Sequence, residues 1–504
     1  MGGLIAGKGF PLSDFAGYKG SGIGMSIDRE RTRRAYLNGQ WIATDRQIEI
    51  VNPATAQVFA RVCAIDREHM KTALDAAEAA FPSWRGQTAK ERGELLHRAA
   101  DRLKERRDEI ARTITLENGK PLAQSKGEVD MSEDHLRWFA GEARRGSGRT
   151  VPHHAPGKRH LVVKTPIGVV GAIAPWNFPL VLAVRKIAQA MAAGCPVILK
   201  PASQTPLCAI ALAECLESAG VPPGVFQLAI GQAAMIGEAL LTNPICRKIS
   251  FTGSTKVGKD LLRGAADSVK PLSLELGGHA PLMVFEDCDL DRAVQQTLIA
   301  KFRNTGQSCI AANRIYVQNT IYREFLGRFV GAVASLRTGP GLEEGVDVGP
   351  LINQQALDGA LAQIEDAANH GGRILTGGRR LAGSPGYFLE PTVIEGMDDG
   401  ALCMTEETFA PVAPVTRFET EEEVIGRANR SSYGLSAYAM TRDLGRIFRL
   451  SEQIEAGTLG INDGAPTVSQ APFGGVKQSG WGRELGSEGL EAFLETKHVS
   501  IGGI

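Results

Sequence analysis

A chain of 504 residues is too long for one ordinary core, and length alone predicts about two to four domains. Lys plus Arg and Asp plus Glu both number 56, so the formal charge is zero; nothing in that balance calls for nucleic acid or an anionic membrane, which leaves a small molecule or another subunit as partner. The eight cysteines form no C-x-x-C pair and no paired Cys/His spacing, which predicts a reducing compartment and no structural metal, and no run of about eighteen apolar residues is present to span a membrane.

The first 25 residues are Gly-rich without a compact apolar region and read as a floppy extension, with Met25 as an alternative start. Residues 35 to 62 alternate apolar and polar around Asn38-Gly39 and Asn52-Pro53, which predicts short antiparallel strands. From Arg67 to about Glu142 apolar residues recur at helical spacing, with charges on the other faces. His153 and His154, between Pro152 and Pro156, read as loop residues. After the strand signal HLVVKTPIGVV, an alternation begins at Gly168. VVGAIAP, PVILKP, VFQLAI, KISFTG and PLSLELGG read as apolar strands, separated by helices at about 180 to 193, 206 to 219, 232 to 241 and 255 to 265. Such an alternation predicts a parallel sheet covered on both faces, with ligands beyond the carboxyl ends of its strands. No G-x-G-x-x-G fingerprint is present, so a dinucleotide would need a different grip. A second alternation follows: PLMVFE, RIYVQN, helices from Ile321 to Leu336 and Gln354 to Asn369, GYFLEPTVIEG, VAPVTRFE and the helix EEEVIGRANR. The tail ETKHVSIGGI reads as a strand with no local partner, an edge that another segment or subunit must cover.

One stretch, FRNTGQSCIAANR from Phe302 to Arg314, sets Cys309 among small and polar residues, which allows a close backbone and a reachable thiol. Local composition alone leaves open an inert buried cysteine. Other stretches stand in order along the chain: APWNFP (174 to 179), KPASQTP (200 to 206), FTGST (251 to 255), LELGG (274 to 278), GQSC (306 to 309), EETFAP (406 to 411) and PFGGVKQSGWGRELG (472 to 486). Together they resemble the aldehyde dehydrogenase superfamily, from about residue 35 to the end.

The resemblance implies an α/β fold of two Rossmann-like parallel-sheet lobes plus a small β oligomerisation arm. It divides the chain into residues 1-30 as an extension, 31-147 with 167-278 as the dinucleotide-binding domain, 279-478 as the catalytic domain, and 148-166 with 479-504 as oligomerisation and bridging segments. It implies that Cys309 attacks the aldehyde carbon, giving a thiohemiacetal and then a thioester. Asn177 and the Cys309 N–H would meet the oxyanion, although Asn in W-N-F-P is equally a turn residue. Glu275 would be the general base for thioester hydrolysis, its plainer role being to bond the amides of its own turn. Lys186 and Glu484 match positions that pass the released proton outward. For NADP or NAD, Gly253 and Ser254 would offer helix N–H groups to a pyrophosphate, Lys200 would meet the adenosine ribose, Glu407 the nicotinamide ribose, and Trp176 would flank the site. Family members strict for NAD often carry Glu at position 203; Ser203 lacks that charge, so NADP is expected to be accepted and preferred.

Arg185 and Arg303 align with the arginines that hold the substrate carboxylate in the family's succinate semialdehyde dehydrogenases, and a guanidinium pairs its donors with a carboxylate. Structural ion pairs are the alternative for each. The serine of that subfamily's pocket loop has its nearest matches here in Thr467 and Ser469, and a second cysteine found after the nucleophile in some members is Ala311 here, which removes a disulfide switch. The expectation is therefore oxidation of succinate semialdehyde, with glutarate semialdehyde or another aldehyde as alternative, by a cytoplasmic homodimer or homotetramer. A CoA-acylating dehydrogenase would not need Glu275, and a thiol esterase would not need Glu407.

Overall fold

A computed structural model describes residues 33–503; the expected extension, residues 1-30, lies outside them. Among the described residues the apolar strands assemble into two large sheets. The first has eight strands, in the order Gln40–Ile42, Ala35–Leu37, Phe226–Leu228, Val197–Lys200, Val169–Ile173, Cys246–Thr252, Leu272–Glu275 and Gly480–Trp481. Its five central strands run parallel, and the outer ones run antiparallel. Burial on both faces explains their Val, Ile and Leu content. Register then decides what meets at the carboxyl edge: Ile173 lies beside Lys200 and Phe251, and Thr252 beside Glu275.

The helix Val181–Ala193 is buried on every side, as its apolar composition requires. It packs beneath the helix Leu122–Glu142, one of four into which the helical region divides, the others being Arg67–Gly86, Ala89–Glu105 and Arg107–Asn118. Breaks fall at Gln87-Thr88, where Thr88 forms a capping box with Glu91, and at Gly119, whose φ of 94° a side chain rarely adopts.

The second sheet has seven strands, ordered Arg373–Thr376, Thr392–Glu395, Val412–Phe418, Ala312–Gln318, Ala280–Val284, Ser436–Met440 and Thr458–Ile461, parallel except for the first. The last two strands and the helix Leu444–Gln453 between them are additions to the elements read from the sequence.

Two local expectations change. HLVVKTPIGVV is not one strand: it splits into Lys158–Pro166 and Val169–Ile173, which join different sheets, because Gly168 turns the chain at φ 124°. The tail does find a partner within the chain. Leu494–Gly502 pairs antiparallel with Lys158–Pro166 along its whole length, and Arg149–Val151 completes a three-stranded arm. The tail's other edge carries no strand among the described residues.

Candidate active site

Leu272–Glu275 ends in Gly277 and Gly278, and the chain passes directly into Ala280–Val284 of the second sheet. Carboxyl ends of the first sheet therefore face amino ends of the second, and Cys309 stands on the amino side of Ala312–Gln318. The loop that presents it is unusual in its backbone: Asn304, Thr305 and Gly306 are left-handed in succession, with φ of 53°, 60° and 71°. For β-branched Thr305 that conformation is costly, and it is held by hydrogen bonds of its hydroxyl to the Gly349 carbonyl (3.2 Å) and from the Gly349 N–H (3.1 Å). Close approach also requires glycine at 278, where a Cβ would stand 2.0 Å from the Cys309 carbonyl oxygen.

Cys309 is half-buried, and burial, then the Glu407 and Glu275 carboxylates, push its thiol up to about 12 against the pull of Arg185. It opens on a cleft of about 210 Å³ shared with Trp176, Asn177, Gly253, Ser254, Glu407 and Phe409. Trp176 meets Phe409 edge to face at 5.5 Å. The Asn177 Nδ2 donates to the Gln307 carbonyl at 3.2 Å, which leaves its second N–H uncommitted; its Oδ1 is buried without a partner. A larger depression of about 710 Å³, lined by Arg85, Lys164, Arg247 and Lys497, lies at the opposite, amino ends of the first sheet's strands and holds none of these groups.

Behind the thiol, Glu275, Lys186, Glu484 and Arg185 form a buried cluster. The Lys186 Nζ lies 2.6 Å from the Glu484 Oε1 and 3.4 Å from the Ser250 hydroxyl. Arg185 approaches the other Glu484 oxygen only to 3.9 Å, and its plane lies 4.7 Å over the Phe473 ring. Its Nε has no partner. Burial and then the Glu484 charge raise the Glu275 carboxyl well above the usual carboxylate range, opposed by Lys186, Arg185 and Arg483. One oxygen of Glu275 is likewise unpartnered.

Of the residues expected to hold a dinucleotide, Lys200, Ser203, Gly253 and Ser254 lie at the first sheet's carboxyl edge, and Glu407 faces them from the segment before the second-sheet strand Val412–Phe418. Lys200 ends its strand almost wholly buried, which lowers its ammonium to about 8, and Ser203 follows, half-buried, in the next turn. Ser254 caps the helix Thr255–Ala266 by accepting from the Val257 N–H. At Gly253 a Cβ would strike the Phe251 ring at 2.4 Å, so the backbone there is bare toward the cleft. Glu407 accepts from the Gly278 N–H at 2.9 Å, and burial raises its carboxyl to about 7. A helix N-terminus and a buried lysine along one edge, with a carboxylate facing them, fit a pyrophosphate and two riboses.

Of the substrate candidates, Arg303 is half-buried with its guanidinium 5.5 Å from the Phe178 ring, and Thr467 is half-buried in the loop before Phe473. Ser469 is turned elsewhere: its hydroxyl donates to Asp134 on the helix Leu122–Glu142. Sequence reading passed over the buried groups around Asn177, namely Asn118, Lys120, Glu128 and Asn304. A signal existed in LENGKP, where a charged, Gly-turned stretch interrupts an amphipathic pattern.

Two facing parallel sheets with a thiol, an uncommitted amide and buried carboxylates at their seam describe an oxidoreductase that works on carbonyl groups through cysteine. Comparison with known proteins makes the class specific: the chain belongs to the aldehyde dehydrogenase family, whose model, "Aldehyde dehydrogenase family", matches residues 41–499. It is 47% identical over 474 residues to a glutarate-semialdehyde dehydrogenase of Pseudomonas aeruginosa, covering 94% of this chain and 98% of that protein. With succinate-semialdehyde dehydrogenase [NADP(+)] of Escherichia coli it shares 45% over 472 residues, 93% of this chain and 98% of the relative. A crystal structure of succinate-semialdehyde dehydrogenase from Burkholderia pseudomallei superimposes with a TM-score of 0.92 at 44% identity, covering 94% of this chain and 98% of that one.

Proposed function

We propose that this enzyme oxidises short aldehydes bearing a distal carboxylate, succinate semialdehyde to succinate, with NADP or NAD. Arg185 carries the reading. Its guanidinium is shut off from water, its Nε lacks a partner, its nearest carboxylate contact is 3.9 Å, and it acts on the Cys309 thiol. A buried cation so poorly matched is costly until a carboxylate supplies the missing acceptors, and a substrate whose aldehyde lies on Cys309 brings one. Arg303, half-buried beside the Phe178 ring, serves the same end.

Cys309 gives up its thiol proton to water and attacks the carbonyl carbon as thiolate, and the oxyanion of the thiohemiacetal receives the free Asn177 N–H and the Cys309 backbone N–H. When bound, the nicotinamide supplies the hydride acceptor. Glu275 takes a proton from the water that cleaves the resulting thioester, and Glu484 with Lys186 passes that proton outward. Glu407 and Lys200 orient the two riboses, Trp176 walls the cleft, and the N–H groups after Gly253 and Ser254 hold the pyrophosphate. Ser203, uncharged, leaves room for a 2'-phosphate, which favours NADP. The free outer edge of Leu494–Gly502 supports a homodimer or homotetramer, and eight unpaired cysteines support the cytoplasm.

Steady-state kinetics on succinate semialdehyde, glutarate semialdehyde and propanal test this reading. The semialdehydes are expected to exceed propanal in kcat/KM by about 100-fold, a preference lost in Arg185→Met. Equal efficiency on propanal would remove the carboxylate clamp. Glutarate semialdehyde is the second reading, favoured by the 47% identical relative; one methylene changes discrimination by about 1–3 kcal/mol, so the two substrates must be compared directly.

A further inference from the structure

Beneath the cleft, the backbone carbonyl of Asn177 is gripped by three donors. The Lys120 Nζ lies at 2.7 Å, the Asn304 Nδ2 at 2.7 Å and the Asn118 Nδ2 at 3.4 Å. Asn118 also donates to the preceding carbonyl, of Trp176, at 2.9 Å. The Lys120 ammonium is in turn paired with the Glu128 Oε2 at 2.6 Å, and neither side chain reaches solvent. The other oxygen of Glu128 accepts from the N–H groups of Leu180 (2.9 Å) and Val181 (3.2 Å), at the start of the helix that carries Arg185 and Lys186. Its charge suits that position, where N–H groups lack partners within the helix.

A fully buried ion pair contributes little net stability, because loss of hydration offsets its attraction, and an apolar pair of similar size often serves as well. What it does supply is direction. Fixing the Asn177 carbonyl fixes the peptide plane after that residue and thereby the direction of its Cα–Cβ bond, so the side-chain amide is aimed before substrate arrives. The backbone of the 118–120 turn is itself wedged against the second lobe: a Cβ at Gly341 would lie 2.4 Å from the Lys120 carbonyl oxygen, and one at Gly349 would lie 2.2 Å from that of Gly119.

We propose that Lys120, held by Glu128 and seconded by Asn304, is a positioning residue that aims the Asn177 amide at the oxyanion. The inference rests on the assignment of Asn177 as oxyanion donor. A donor preset in this way costs no reorganisation during reaction, which is where such donors gain their effect.

Removing Lys120 alone would strand the Glu128 carboxylate, so the variant to measure is Lys120→Met/Glu128→Gln, which keeps an acceptor for Leu180 and Val181. Asn304→Gly, which keeps the left-handed backbone and deletes the second donor together with its 3.0 Å bond to the Gln307 carbonyl, is measured beside it. The readouts are the single-turnover rate of NADPH formation with succinate semialdehyde, NADP binding, and the thermal midpoint. Asn177→Ala alone is expected to slow that rate about 100-fold. Lys120→Met/Glu128→Gln is expected to slow it at least about 10-fold with NADP binding unchanged, and adding Asn177→Ala to it should cost less than about 3-fold more, since both changes act on one group. Asn304→Gly should show a smaller loss with the same non-additivity. If Asn177→Ala costs its full factor in both backgrounds, or if both are as fast as wild type, the positioning role is overturned. Should Lys120→Met/Glu128→Gln fail to fold, the cycle through Asn304→Gly decides. A wild-type rate in Asn177→Ala alone would instead remove the oxyanion assignment itself.

Discussion

The Glu275 carboxylate lies so close to Gly474 that a Cβ added at that glycine would stand 2.7 Å from the Glu275 Oε1. The base and the PFGG turn therefore share one space, and even a methyl group there displaces the carboxylate. Gly474→Ala is expected to leave the first burst of NADPH nearly intact and to slow steady turnover by about 10-fold or more, because the proposed mechanism uses Glu275 in thioester hydrolysis and not in thioester formation. Rapid-quench kinetics check this; a burst lost in proportion to turnover would place Glu275 in the earlier step.

Glu275 also has opposed charges about it. Its carboxyl sits well above the usual range, raised by burial and then by Glu484, and lowered by Lys186 and Arg185. As a base it must lose its proton, so turnover should rise with pH through that raised value. Glu484→Gln removes the like charge and should move this limb to lower pH. Lys186→Met removes the opposite charge and should move it to higher pH. Profiles of kcat from about pH 5 to 9 test the pair, and shifts of the same sign would break the assignment.

The proposed cofactor preference rests on Ser203, half-buried three residues after Lys200. Ser203→Glu places a carboxylate where a 2'-phosphate would lie. NADP binding should weaken about 10- to 100-fold more than NAD binding, measured by titration of each dinucleotide. An unchanged ratio would mean that the phosphate is read elsewhere.

Burial and then the Glu407 charge push the Cys309 thiol up to about 12. Alkylation by iodoacetamide should accelerate as pH rises, and Glu407→Gln should accelerate it further by removing the nearer negative charge. Cys309→Ala should abolish both this labelling and aldehyde oxidation while cofactor binding persists. Residual oxidation near wild type would dismiss the thiol as nucleophile.

The first sheet was legible because its strands are short, apolar and separated by helices of ordinary length: the helix read at about 180 to 193 is Val181–Ala193, and that at 255 to 265 is Thr255–Ala266. Gly168 was harder, since nothing local says that a glycine within an apolar run ends one sheet and starts another. Cys309, Asn177 and Glu275 stand in motifs that single them out in sequence; in the fold Cys309 and Asn177 line one cleft and Glu275 is buried. Lys120, Glu128 and Asn304 act across 57, 52 and 127 residues of sequence, and only folding brings their partners to them. Ser469 shows the reverse: it occupied a plausible position in sequence, and its hydroxyl is drawn off by Asp134, 335 residues earlier.

Lys186 and Glu484 are 298 positions apart, and Gly480–Trp481 and Leu494–Gly502 close the edges opened by Leu272–Glu275 and Lys158–Pro166. A growing chain emerging from the ribosome thus holds a bare sheet edge and an unneutralised buried lysine until residues 480 to 502 have been made. The surroundings of Glu275 are completed only by those residues, so a chain truncated a little before Phe473 would lose them together, while keeping the thiol and most of both sheets.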